Sequence, residues 1–136
     1  MTAPPTEWVA KAESDYRLML RESEVAIEPA PDAVCFHAQQ CVEKYAKGYL
    51  TEKDIQFPRT HNLEYLHELC TNVDKEFIQF KSDFKRLDDY SVEIRYPGVD
   101  AAEEDAKKSV IITTRLRTFI RQKLGLDQPE TPEQGK

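Results

Sequence analysis

The stretch that decides the fold is residues 33–50, which read AVCFHAQQCVEKYAKGYL. Apolar side chains recur in it every three or four residues, which is the spacing of one face of an α-helix. That face consists of Val34, Ala38, Cys41, Val42, Tyr45 and Tyr49. The pattern predicts a helix over about residues 32–52, with one side buried against other elements.

A second row of residues in this helix is polar. It consists of His37, Gln40, Lys44 and Lys47, at spacings of three, four and three residues. In a structural interpretation the row is solvated, and Glu43 pairs with Lys47 one turn later, which stabilises a helix by roughly 0.2–0.5 kcal/mol. In a functional interpretation the two lysines, the amide and the imidazole form a cationic groove for phosphate. Helical spacing alone leaves both interpretations open.

The rest of the chain has the same helical period, and no segment alternates β-branched residues between turn signals. A first helix is predicted over about residues 7–27, and a short third helix begins after the N-cap residue Thr60. A fourth helix extends from about Phe77 to the sequence RYPG at residues 95–98, where proline and glycine end it.

The last helix is predicted to begin at a capping box of Asp100 and Glu103 and to end at Gly125. Short links between helices favour antiparallel neighbours. The predicted fold class is therefore all-α, an antiparallel up-and-down helical bundle of four long helices plus one short helix. We assign residues 1–5 to an N-terminal extension, residues 6–125 to the bundle and residues 126–136 to a disordered acidic tail.

The composition fits a single domain with a core of its own. The chain has 136 residues, of which 40% are hydrophobic and 32% are charged. At this size a compact fold removes roughly two-thirds of the chain's surface from water, so no disulfide or metal is needed. The three cysteines, Cys35, Cys41 and Cys70, lie in apolar helical patterns and are predicted to be reduced packing residues. Because no apolar run approaches membrane length and the start lacks a signal-peptide pattern, we expect a cytoplasmic protein without membrane contact.

Charge is unevenly distributed along the chain. The net charge of −6 is the sum of +6 in residues 107–123 and −12 in all other residues. The acidic majority would repel nucleic acid, so only local basic surface could attract it. Within the basic segment, Arg117 falls inside the apolar stripe of the last helix. There it either reaches the helix edge, pairs with a buried acid or lines a groove.

Common catalytic and metal-binding motifs with a local spacing are absent. The chain has no GxGxxG, GxxxxGK[ST], HExxH, GxSxG or EF-hand loop. A di-iron bundle needs Glu-x-x-His on two helices, and Glu64 with His67 supplies one such pair. We therefore predict neither a metal site nor a cofactor.

Two further positions carry groups that suit phosphate. His61 is predicted to lie in the first turn of the third helix, where backbone N–H groups favour anions. Arg95 and Tyr96 stand at a rigid helix end, where a guanidinium can hold phosphate through two hydrogen bonds. The structural alternatives are a polar helix start for His61, and a C-terminal cap with a packed ring for Arg95 and Tyr96.

Together these segments resemble the HEPN domain family. The run FHAQQCVEKYAKGYL at residues 36–50 is similar to the family's Gln-Gln, Glu-Lys helix. THNL at residues 60–63 and RYP at residues 95–97 are similar to its Thr-His-x-Leu and Arg-Tyr-Pro elements. The resemblance covers about residues 6–124, and the order and spacing of its elements make it specific.

The resemblance implies a small helical bundle, commonly dimeric, that binds nucleotides or RNA and is often encoded beside a minimal nucleotidyltransferase. Many HEPN proteins are metal-independent ribonucleases that use an Arg and a His separated by four to six residues. This chain departs from that pattern, because no Arg in it, Arg95 included, is followed by a His at that spacing.

We therefore expect a non-catalytic HEPN-type module that binds a nucleotide or RNA phosphate as a homodimer, together with a minimal nucleotidyltransferase. The expected binding residues are Gln40, Lys44, Lys47, His61, Arg95 and Tyr96. One alternative is a metal-independent endoribonuclease toxin of a toxin–antitoxin pair, with His37 or His61 transferring protons and Arg95 stabilising the phosphorane charge. Another alternative is a protein-interaction scaffold with no nucleotide ligand.

Overall fold

The computed structural model describes residues 3–25, 27, 29–93, 97–98 and 100–127, and for residues 91–93 the backbone alone. All regular structure within these ranges is helical, which confirms the predicted all-α class. The elements are α1 (Pro5–Ser23), α2 (Pro31–Glu52), α3 (Leu63–Val73), a 3-10 helix (Lys75–Phe80), α4 (Lys81–Glu93) and α5 (Glu103–Lys123). Among these described helices, none has the length and apolar character that crossing a membrane requires.

Helix α2 lies at the centre of the bundle and contacts the other four α-helices. Thirteen of its 22 residues are buried, and they include every residue of the predicted apolar face. The three cysteines are buried and form no disulfide, as predicted. The 3.6-residue pattern of α2 therefore identified the centre of the core correctly.

Helix α1 runs antiparallel to α2 and packs tightly against it at Gly48. A Cβ atom at Gly48 would lie 3.1 Å from the Cβ of Trp8, so a larger residue would push the start of α1 away. One end of α1 thus packs on the end of α2, while Asp15, two turns later, reaches back to His37. Contact at both points fixes the register of the two helices.

The chain after α2 returns along that helix before α3 begins. His61, near the end of this link, contacts Glu43 in the middle of α2. Helix α4 then runs antiparallel to α3, because the first residue of α3, Leu63, donates its N–H to Asp88 late in α4 at 3.1 Å. The long helices α1, α2, α4 and α5 thus alternate in direction, and α3 lies beside α2.

Helix α3 begins later than predicted. Its N-cap is Asn62, whose side-chain oxygen accepts a hydrogen bond from the N–H of Tyr65 at 2.9 Å. Thr60 instead accepts from the N–H of Asn62 at 3.1 Å. The prediction that His61 lies in the first helical turn is therefore wrong, because the chain is still extended at Asn62.

The predicted fourth helix is divided into two elements. Residues 75–80 form the 3-10 helix, capped by the Asp74 carboxylate, which accepts from the N–H of Glu76 at 2.9 Å. The buried stripe nevertheless continues across the division into α4, and its described members are Phe77, Phe80, Phe84 and Leu87. Three residues per turn place Phe77 and Phe80 above one another, so the division keeps both rings in the core.

Two other helix boundaries differ from prediction. Helix α1 ends at Ser23 rather than near residue 27. The hydroxyl of Ser23 donates to the carbonyl of Leu20 at 2.7 Å in this last turn. Helix α5 has Ala102 as its N-cap, and the Asp105 carboxylate accepts from the Ala102 N–H at 2.9 Å. The predicted capping box of Asp100 and Glu103 is therefore wrong.

The predicted end of α5 is confirmed. Gly125 follows the last turn with a φ of 74°, a left-handed conformation that glycine adopts without strain. Its N–H donates to the carbonyl of Gln122 at 3.0 Å, which satisfies one of the free carbonyls at the helix end.

Replacing Phe84 by Ala should lower the free energy of unfolding by about 3–5 kcal/mol, because the ring is fully buried and its removal leaves a cavity. Urea unfolding followed by circular dichroism measures the loss. A matched control is Ile78→Ala, since Ile78 lies six residues earlier and is exposed. Equal losses in the two variants would contradict the assigned core.

Candidate functional site

Two buried carboxylates organise the polar side chains of α2. Asp15 comes from α1 and is 7% exposed, and Glu43 comes from α2 itself and is 3% exposed. Each carboxylate accepts hydrogen bonds from one lysine and one histidine. We call these two groups the Asp15 cluster and the Glu43 cluster.

The Asp15 cluster joins α1 to α2. Lys44 Nζ donates to one oxygen of Asp15 at 2.6 Å, and His37 Nδ1 lies 2.9 Å from the other oxygen. A carboxylate bonded to an ammonium group only accepts hydrogen bonds, so we assign the His37 ring proton to Nδ1. The side chains of Lys44 and His37 remain 22% and 24% exposed. Both can therefore contact a ligand while Asp15 holds them.

The Glu43 cluster joins α2 to the link before α3. Lys47 Nζ and His61 Nδ1 each lie 2.9 Å from Oε2 of Glu43. The same argument assigns the His61 ring proton to Nδ1. The His61 side chain is 77% exposed, whereas that of Lys47 is buried beside the ring of Trp8. Of these two partners of Glu43, His61 therefore presents most of its surface to solvent.

Two glutamines connect to the Glu43 cluster. Gln40 Nε2 donates to Oε1 of Gln39 at 2.7 Å. Gln39 Nε2 in turn donates to Glu43 at 3.2 Å and to the backbone carbonyl of His61 at 3.3 Å. The side chain of Glu43 thus receives a third donor, and the backbone of His61 is held as well as its ring.

The polar row of α2 matches neither of the interpretations made from its spacing. The pair of Glu43 and Lys47 forms as expected, but it is buried, so the interpretation as a solvated face is wrong at both residues. The charge of Lys44 is matched by Asp15, and that of Lys47 by Glu43. The row therefore presents oriented polar groups rather than an excess of positive charge.

The predicted binding residues are only partly brought together. Gln40, Lys44 and His61 lie in or beside the two clusters with some of their surface exposed, whereas Lys47 is buried. Arg95 and Tyr96 lie outside the described residues.

Sequence reasoning did not identify Asp15 as an organising residue, although a signal was present. Asp15 follows Ala12 by three residues and precedes Met19 by four, so it occupies the apolar stripe of the first helix. An acid at such a position requires buried donors. The stripe does not predict which residues of α2 supply those donors.

A third polar cluster accounts for Arg117. Its Nε and Nη2 atoms donate to the two oxygens of Glu13 at 2.6 and 2.9 Å, and its guanidinium lies 4.5 Å from the centre of the Tyr16 ring. The hydroxyl of Tyr45 also donates to Glu13. Of the three possibilities for Arg117, pairing with an acid is the one observed, although Glu13 is half-buried rather than buried.

Two further cations of the basic segment make close ion pairs. Arg121 bonds Asp127 at 2.7 Å, and Lys123 Nζ bonds the carboxylates of Asp74 and Glu76 at 2.8 and 2.7 Å. These ion pairs stabilise the packing of the end of α5 against neighbouring residues. Among the described residues, no group of three or more His, Cys, Asp and Glu side chains is arranged to hold a metal ion.

Replacing Lys47 by Met should lower the free energy of unfolding by about 3 kcal/mol, because it leaves the Glu43 carboxylate buried without its ammonium partner. The double variant Glu43→Gln, Lys47→Met should recover most of this loss, since both buried charges are then gone. Urea unfolding of the single and double variants measures both effects.

Lys85→Met is the matched control for Lys47→Met. Lys85 pairs with Asp89 at the same helical spacing, at 3.3 Å, but both side chains are exposed. Loss of such a pair is expected to cost less than about 1 kcal/mol. If Lys47→Met cost no more than Lys85→Met, the buried pairing would be refuted.

Glu13 should contribute to stability against acid. The hydrogen bond from Arg117, together with that from Tyr45, holds the pKa of Glu13 below its ordinary value of 4.5. Its contribution is complete above that value and is lost as pH falls through the lowered folded-state pKa. Glu13→Gln should therefore lower stability at pH 7 and flatten the decline below about pH 4.5. Urea midpoints measured from pH 7 to pH 3 test this, and parallel declines in both proteins would contradict it.

Comparisons with known proteins agree with this architecture. The family model of the HEPN domain matches residues 6–123. An archaeal HEPN homologue of known crystal structure has a similar fold, with a TM-score of 0.71 and 22% sequence identity over 90% of this chain and 98% of its own. No curated protein is significantly similar to the chain. Because the family match extends from the first helix to the last, the chain belongs to the HEPN domain family.

Proposed function

We propose that this chain is a non-catalytic HEPN-type module that binds a nucleotide or RNA phosphate at the polar face of α2. The observation that carries the proposal is the pair of buried carboxylates, which hold His37, Lys44 and His61 in fixed positions with part of each side chain exposed. Groups that are already ordered lose less side-chain freedom when a ligand binds. Such an arrangement supports recognition of a small polar ligand.

Lys44 is the proposed phosphate contact. Its ammonium group has three N–H donors, and Asp15 accepts one of them. The other donors can bind phosphate oxygens, while Gln40 and His61 are available to the sugar or base. Lys47 enters the proposal as a positioning residue, because its ammonium group bonds Glu43, which in turn holds His61. Arg95 and Tyr96 are included because of their place at the predicted helix end and because of the HEPN resemblance.

The proposal includes two protein partners that the HEPN resemblance implies. They are a second copy of the chain and a minimal nucleotidyltransferase. The exposed ring of Phe36, which lies 5.2 Å from that of His37, offers apolar surface beside the Asp15 cluster for one of them. A partner docked there would cover one side of the ligand.

A metal-independent ribonuclease is the second candidate function. It is favoured by the two imidazoles, because a carboxylate that holds Nδ1 orients a histidine for proton transfer through Nε2. The Arg and His spacing of HEPN ribonucleases is absent from the chain. His37 or His61 would have to act in a different site geometry.

A scaffold function is favoured by one feature elsewhere in the bundle. An open cavity of about 600 Å³ lies between the end of α1, the start of α2 and α5. Its walls are largely apolar and include Val25, Val34 and Ile111. Such a cavity suits an apolar side chain of a partner protein.

Thermal melting with ATP, GTP and a short RNA tests the proposal. A ligand at a hundred times its dissociation constant stabilises the fold by about 2.7 kcal/mol, which raises Tm by several degrees. The rise should be largely lost in Lys44→Met and retained in Lys85→Met, because Lys85 pairs with Asp89 on the surface and belongs to neither cluster. Because Lys44→Met also weakens the Asp15 cluster, the quantity compared is the rise with ligand and not Tm itself.

The outcomes separate the three functions. A rise in Tm with intact RNA supports the binding module. RNA cut in the presence of a metal chelator would replace it by the ribonuclease. No rise with any ligand and no cleavage would refute nucleotide binding and leave the scaffold.

A further inference from the structure

The hydrogen-bond donors of the α2 face point into the protein. His37 Nδ1 bonds Asp15, and His61 Nδ1 bonds Glu43 at 2.9 and 3.1 Å. Gln40 likewise directs its Nε2 at Gln39. In each imidazole the buried partner takes up the single N–H of a neutral ring, and in Gln40 it takes up one of the two N–H donors of the amide.

The acceptor atoms of the same three side chains have no hydrogen-bond partner among the described residues. A neutral imidazole with its proton on Nδ1 has a lone pair on Nε2. Among the described residues, no hydrogen bond is made by Nε2 of His37, Nε2 of His61 or Oε1 of Gln40. With both imidazoles neutral, the exposed part of this face offers these three acceptors, and the donors beside them are the ammonium group of Lys44 and the second N–H of the Gln40 amide.

This distribution determines which part of a nucleotide each group can bind. Ionised phosphate oxygens carry no hydrogen, so they suit Lys44 and do not suit the lone pairs of neutral imidazoles. Hydroxyl groups of a sugar and amino groups of a base do carry hydrogen and suit those lone pairs. The sugar hydroxyl that is free both in a nucleotide and inside an RNA chain is the 2′-hydroxyl, which also distinguishes RNA from DNA.

His61 is the best placed of the three acceptors. Its ring is 77% exposed, whereas that of His37 is 24% exposed. Glu43 holds the ring of His61 and Gln39 holds its backbone carbonyl, so both its position and its tautomer are set by buried groups. Gln40 lies one helical turn before both Glu43 and Lys44, so it lies between the two clusters on one face of α2, and a ligand that contacts both clusters would extend past it.

We propose that Nε2 of His61 accepts a hydrogen bond from the ribose 2′-hydroxyl, so that the site selects ribonucleotides over 2′-deoxyribonucleotides while Lys44 binds the phosphates. This inference rests on the proposed nucleotide binding and deepens it. Glu43 is a positioning residue in this scheme, because it sets which ring nitrogen faces the ligand.

Calorimetric titration at neutral pH with ATP, 2′-deoxy-ATP and inorganic tripolyphosphate tests the inference. Loss of one neutral hydrogen bond should weaken 2′-deoxy-ATP relative to ATP by roughly 2- to 10-fold. Tripolyphosphate, which has no sugar, should bind more weakly than ATP. Lys85→Met should reproduce the wild-type ratios.

Two variants assign the selectivity to His61 and Glu43. His61→Phe keeps an exposed ring but removes the acceptor. This variant should therefore bind ATP no more tightly than it binds 2′-deoxy-ATP. Glu43→Gln can present its amide N–H to Nδ1, which moves the ring proton to Nε2 and should also reduce the preference for ATP. Thermal melting without ligand verifies that each variant is folded, and His61→Phe alone suffices if Glu43→Gln is not.

Failure of this inference and failure of the proposed function give different results. If ATP, 2′-deoxy-ATP and tripolyphosphate bind equally, phosphate binding stands and sugar selection by His61 is refuted. If His61→Phe retains the full preference for ATP, another group makes the selection and the inference is likewise refuted. If none of the three binds, the inference is refuted, and thermal melting with GTP and the short RNA decides whether the proposed function is refuted as well.

Discussion

A carboxylate buried in an apolar bundle must be surrounded by hydrogen-bond donors, and this requirement governs the organisation of the molecule. Asp15 draws its donors from α2, which ties α1 to the central helix. Glu43 draws one of its donors from His61, which ties the link before α3 to the same helix. The interactions that hold these elements in register therefore also set the orientation of the exposed imidazoles and of Lys44. In this bundle, the same hydrogen bonds stabilise the packing of the helices and orient the side chains of the candidate site.

Charged side chains of α5 are likewise paired with charges of opposite sign. Helix α5 carries most of the paired cations, which bind acids of α1 and of the 3-10 helix. Arg117 with Glu13 is one example, because its guanidinium makes two hydrogen bonds to the carboxylate and lies over the ring of Tyr16. Pairing of this kind removes positive potential from the surface of a protein that is acidic overall. Any nucleotide recognition then depends on local, oriented groups rather than on long-range attraction.

Much of the fold was predictable because hydrophobic periodicity reports burial directly. The apolar face of α2 and the buried stripe through Phe84 were both identified from spacing. Helix starts were less predictable, because several neighbouring polar residues could each serve as the cap. Asn62 caps α3 although Thr60 is equally suited locally, and the start of α5 is held by Asp32 of α2, which accepts from the Ala101 N–H at 2.6 Å. A cap that depends on another helix cannot be chosen from local sequence.

The amino-acid sequence by itself determined the helices, their buried faces and the resemblance to the HEPN family, because these depend on the order and spacing of residues along the chain. It also placed Glu43 and Lys47 one turn apart, so their pairing was readable. Only the tertiary structure decided that this pair is buried beside Trp8, and that His37 and His61 direct Nδ1 inward. The direction of a hydrogen bond depends on which partner a different element brings within 3 Å, and packing of the helices determines that partner.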